Sequence, residues 1–131
     1  MPEMPMPLSP KCAFALGGAI ARVLRAIPWK VVLVAGTGWS HTQNTNWGRN
    51  WVHPHMENDL MRYSEWSDSK FSNWGETFTY GKLEAYGQWE HLCWIVLAGA
   101  MTELGSKIVY SDFQQNWCFN SNWVNTIFSV V

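Results

Sequence analysis

Residues 83–104 read LEAYGQWEHLCWIVLAGAMTEL, an apolar run with Glu84, Glu90 and His91 towards its start and with Gly105 and Lys107 just past its end. As one helix the run would be ~33 Å long, about the hydrocarbon thickness of a bilayer. Ionisable groups on such a segment are costly both in lipid and in a dry core, so they must be covered, paired or liganded. The pattern predicts one long apolar helix over about residues 82–104, stopped by Gly105 as a left-handed cap.

Towards the amino terminus, residues 13–27, AFALGGAIARVLRAI, are Ala-rich and place Arg22 and Arg25 on one face, which predicts a cationic amphipathic helix. Pro28 ends it, and a short β-branched run at 31–35 follows. An interfacial or partner-bound helix is the favoured reading of this segment. An organelle-targeting peptide, supported by the absence of acids between residues 4 and 56, and an ordinary core helix are the alternatives. A secretory signal fits poorly, because the uncharged run after Lys30 is short. Residues 1–11, MPEMPMPLSPK, predict an extended Pro-rich arm, with one small domain or membrane-associated subunit over 12–131. A short helix is expected over 55–66, where Met56, Leu60 and Tyr63 stand at helical spacing, and one or two strands or an extended tail over 107–131. The expected fold class is mainly α, with irregular Trp-rich loops and extended termini.

The 131 residues suffice for one domain. Net charge is −1, yet residues 1–56 carry +4 and residues 57–131 carry −5. So few and so scattered cations cannot neutralise a run of phosphates, which excludes nucleic acid as an expected partner. A basic leading half suits a membrane surface or an acidic neighbour. Cys12, Cys93 and Cys118 match no metal or redox spacing and are expected as buried thiols. Ten tryptophans exceed what so small a core can enclose with every indole N–H bonded, so some rings must face lipid, a partner, a flat cofactor or sugar.

Two constellations offer chemistry. On a continuous helix Gly87, His91 and Gly99 share one stripe, where small residues would admit a macrocycle to the backbone with His91 as axial ligand and Trp94 beside it. The competing and preferred reading is tight helix packing with His91 paired to a carboxylate or carbonyl. In an extended strand His53, His55 and Glu57 point to one face, a donor set suited to zinc, copper or non-haem iron; exposed surface histidines are the preferred reading. The dipeptide Asn-Trp also occurs five times, an amide next to a ring that could meet a sugar.

The order Glu84, Gly87-Gln88-Trp89, then Glu103 after the apolar run resembles a helix of chlorophyll-binding antenna proteins. Gln88 stands where that family has an arginine, the spacing between the acids differs, and the likeness is confined to this segment and does not amount to membership. It implies a porphyrin-type pigment as a ligand, with lipid as the other expectation.

These readings converge on a non-catalytic accessory subunit of a membrane protein complex, energy-transducing complexes included, at an organellar or other membrane. Its partners would be larger protein subunits and membrane lipid. The alternatives are a Trp/Asn-rich carbohydrate-binding module and a small metal-dependent enzyme using His53, His55 and Glu57. No nucleophile elbow, phosphate-binding loop or paired-carboxylate signature supports an enzyme.

Overall fold

The structure of the protein, a computed structural model, describes residues 8–39, 52–85, 89–115 and 122–130. Helix α1 spans Pro10–Ala26, α2 Val52–Ser67, α3 Trp74–Thr77 and α4 Tyr80–Ala85; a 3-10 turn at Trp89–His91 leads into α5, Leu92–Leu104; strands β1, Lys107–Gln114, and β2, Trp123–Ser129, complete the order. The fold is therefore mixed, several helices with a short two-stranded antiparallel sheet, rather than mainly α with an extended C-terminal tail.

Local chemistry explains where α1 starts and stops. Ser9 is its N-cap, with Oγ accepting from the Cys12 N–H at 3.1 Å, and Pro10 follows at a first-turn position where a missing N–H costs nothing. The helix thus begins inside the expected extended arm, whose residues 1–7 lie outside the described residues. At the other end Ile27, held extended ahead of Pro28, terminates it (φ −89°, ψ 148°).

The single long helix expected over 82–104 is not present. Its length is divided between α4, the 3-10 turn and α5, and the thirteen residues of α5 reach only ~20 Å. Among the described residues no helix is long and apolar enough to cross a membrane. The apolar character of α5 has another cause. Trp94, Ile95, Leu97, Ala98, Gly99, Ala100 and Met101 are all buried, so the middle of the helix is enclosed while its two ends, at Cys93 and at Thr102 and Glu103, are exposed. Gly105 does cap it in the left-handed region (φ 61°), its N–H reaching the Thr102 carbonyl at 3.2 Å while the Ser106 N–H reaches Met101 at 3.0 Å.

α1 is the closest neighbour of α5, and the two meet backbone to backbone. A Cβ on Gly17 would overlap the Val96 carbonyl, and one on Gly99 would overlap the Phe14 carbonyl. Ala13, Gly17 and Ala21, one turn apart on α1, form the small-residue stripe that admits this approach. Its cationic face, Arg22 and Arg25, is left outside.

On the opposite side of α5 the rings gather. Trp66 of α2 stacks on Trp74 (centroids 5.1 Å apart) and meets Trp94 and Phe128 edge-on at 5.3 and 5.5 Å. Three indole N–H groups of this cluster are directed to partners, Trp66 to Thr126 Oγ1 at 2.8 Å, Trp74 to Glu65 Oε2 at 3.0 Å and Trp94 to the Thr37 carbonyl at 3.2 Å, while that of Trp39 has none among the described residues. Among the described residues four tryptophans, Trp39 included, are buried, whereas Trp29 and Trp123 are 76% and 56% exposed. The sheet closes this side. β1 and β2 pair antiparallel from Lys107↔Ser129 to Gln114↔Trp123, with Val109 inserted between the Ile108 and Tyr110 pairs. That extra residue keeps both Ile108 and Phe113 turned inward, while β2 turns Val124, Thr126 and Phe128 towards the core.

The glycine contact is testable. Gly99→Ala should cost about 3 kcal/mol in urea unfolding, at the upper end for an overpacked core, since rigid backbone has to move. Gly36→Ala, with nothing within 4 Å of the added methyl, should change stability by less than about 0.5 kcal/mol.

Candidate functional site

His91 sits at the start of α5 and is fully buried. Its ring lies 4.8 Å from Trp39, edge to face, 4.8 Å from Phe78 and 5.1 Å from Trp74. Among the described residues neither ring nitrogen has a hydrogen-bond partner. Burial, and secondarily the positive charge of Arg62, hold its pKa down from 6.5 to about 3, so the imidazole is neutral. Of the other residues on the proposed pigment stripe, Trp94 packs edge-on to Trp39 at 5.6 Å, Gly99 is filled by the Phe14 backbone, and Gly87 lies outside the described residues. The Gly99 face is consequently closed, with no approach for a macrocycle. Small residues here serve helix packing, and His91 is boxed by rings without the carboxylate or carbonyl partner expected for it.

His53, His55 and Glu57 lie on α2, so the extended backbone that would aim all three at one point is absent. Successive helix positions turn by about 100°, which separates alternate residues. The side chains of His53 and His55 lie outside the described residues; that of Glu57 is exposed. Among the described residues no group of three or more His, Cys, Asp or Glu could hold a metal ion. Two Asn-Trp steps fall within the described chain. Trp74 is buried, and at 122–123 the asparagine is buried while the ring is exposed, so neither step presents amide and ring together. Cys12 and Cys93 are exposed, contrary to the expected buried thiols.

A feature absent from the sequence reading is the inversion of α2. Its inner face carries Asn58, Asp59, Arg62 and Trp66, while Leu60 and Met61 face outward. Asp59 accepts from Asn122 Nδ2 at 2.9 Å, tying α2 to the residue before β2. Arg62 pairs with Glu65 at 3.0 Å and lays its guanidinium 4.3 Å from the Phe78 ring centre. The signal was available in the polar 58/59/62 spacing, but it is the same spacing that a solvated face produces.

A cleft of about 830 Å³ opens elsewhere, between the end of α1, the extended strap at 29–35, α5 and β2. Leu24, Leu33, Leu97, Met101, Val124 and Phe128 line it, and Arg25 is the one charged residue among those lining it. At its far end the strap is anchored where Thr37 Oγ1 donates to the Glu90 carbonyl at 2.9 Å and the Thr37 carbonyl accepts from Trp94. Comparison with protein-family models, with curated proteins and with solved structures returns no match.

The buried histidine makes stability depend on pH. Its folded pKa lies below its unfolded one, so its neutral burial stabilises fully above pH 6.5, and that contribution is lost as pH falls from 6.5 towards 3. Between pH 7 and 4.5 it should amount to roughly 2–3 kcal/mol. His91→Leu should lose less stability than the parent protein by about that amount over the same interval, measured by urea unfolding at both pH values.

Proposed function

We propose that the protein is a non-catalytic accessory subunit that lies against a membrane beside larger protein subunits, attached peripherally. The observation supporting this reading is the strap at 29–34. Trp29, Val32 and Val34 are 76, 85 and 79% exposed, and Val23 of α1 beside them is exposed too. Isolated apolar residues on a surface are ordinary, but four exposed apolar side chains within six residues, a tryptophan among them, mark a surface that is covered in use.

Charge favours lipid as part of that cover. Arg25 lies near the end of α1 and Lys30 within the strap; Arg22 is paired with Glu103 at 3.3 Å, whereas among the described residues Arg25 and Lys30 have no carboxylate partner. Cations beside exposed apolar side chains suit an anionic leaflet, with each contributing about 1 kcal/mol near the surface. Trp29 supplies a ring of the kind that settles at the headgroup level.

Co-sedimentation with lipid vesicles tests the proposal. The protein should bind vesicles rich in phosphatidylserine, bind neutral phosphatidylcholine vesicles at least tenfold more weakly, and be released as salt is raised. Trp29→Ser combined with Val32→Asn should weaken binding at least tenfold without altering the unfolding midpoint. Absence of binding to either vesicle at low salt would overturn the membrane-surface reading.

A further inference from the structure

The cleft under the strap has a property that surface attachment does not need: it is a half-open, mostly apolar space with one charged residue in its lining. Its volume of about 830 Å³ falls within the range of roughly 300–1,000 Å³ common for small-molecule sites. Leu97 and Met101 of α5 form its floor, Val124 and Phe128 of β2 one wall, and the strap the other. Arg25 lines it, with Nη2 donating to the Glu103 carbonyl at 3.4 Å and with no carboxylate among the lining residues. Apolar voids of this size gain little from water, which finds few partners there.

We infer that the cleft binds one long-chain fatty acid, its hydrocarbon chain along Leu97 and Phe128 and its carboxylate held by Arg25. Charge complementarity selects this occupant. A neutral chain would leave the guanidinium at the rim without an anion, and a cationic one would be repelled by it. A single chain also suits a cleft walled by a strap. Among the described residues the strap at 30–36 makes no backbone–backbone hydrogen bond, so parting it breaks no ladder, while its anchor at Thr37 stays in place. The inference narrows the accessory-subunit reading to one ligand class and rests on it for the supply of that ligand from a membrane. The cleft itself is formed independently of any vesicle contact.

Direct titration of the full chain with palmitate, below the concentration at which it forms micelles, and with hexadecanol tests the inference, using displacement of a fluorescent fatty acid as the readout. Palmitate should bind saturably at one site per chain and at least tenfold more tightly than hexadecanol. Arg25→Gln should lower palmitate affinity about tenfold and leave hexadecanol unchanged, with Arg25→Lys restoring most of the difference. Leu97→Trp should abolish binding of both by filling the floor; Leu24→Trp, at the half-buried lip, provides the same test should the first variant fail to fold. No saturable binding, as expected were the cleft filled by the chain itself or reserved for a protein segment, would overturn the inference. So would palmitate binding that neither tryptophan variant reduces, or equal affinity for acid and alcohol. Vesicle binding with no palmitate site would leave the surface-attachment proposal standing and remove only this one; palmitate binding without vesicle binding would do the reverse.

Discussion

The contact of Gly17 and Gly99 with the carbonyls of the opposing helix is the constraint on which the rest of the structure depends. Bringing two helix backbones together removes any layer of side chains between them, so α1 and α5 act as one double rod. Gly75 of α3 adds to it by closing on the Phe14 side chain, where a Cβ would stand 2.8 Å away. With one flank of α5 used in this way, its large side chains, Trp94, Leu97 and Met101, turn to the remaining sides, towards the aromatic cluster and the cleft. The cationic residues of α1 are left on the outer surface next to the strap.

The aromatic cluster is also where the protein keeps its internal polarity. Burying Asp59 and Arg62 on the inner face of α2 has a desolvation cost that Asn122, Glu65 and the Phe78 face offset with hydrogen bonds, an ion pair and a cation–π contact. Inverting α2 turns Leu60 and Met61 outward, so the helix contributes more to position than to apolar burial. His91 remains neutral between rings, where a second positive charge near Arg62 would be unfavourable.

The cleft and the strap are products of the same arrangement. α1 diverges from β2 beyond Ala21, Pro28 forbids the helix from continuing across the gap, and the chain crosses it extended with Trp29 and Val32 exposed. An exposed apolar strap and a mostly apolar cleft thus lie side by side, with Arg25 among the residues lining the cleft.

Local signals were readable from the residues alone: the breaker at Pro28, the cap at Gly105 and a helical segment before the first and overlapping α1. These depend on backbone sterics and on groups a few residues apart, which any sequence displays directly. Among the described residues Trp29 and Trp123 are exposed rings. The long apolar helix was misread because being apolar on every side describes both a span in lipid and a helix at the centre of a small protein. Only the covering of α5 by α1, the aromatic cluster and the sheet distinguishes them. Residues 53–57, expected as an extended strand, take helical backbone. By itself the sequence determined where segments start, stop and carry charge. Tertiary structure alone decided which faces meet, which polar groups are enclosed and where a cleft remains, because those outcomes depend on contacts between residues distant in the chain, such as Phe14 with Gly99 and Asp59 with Asn122.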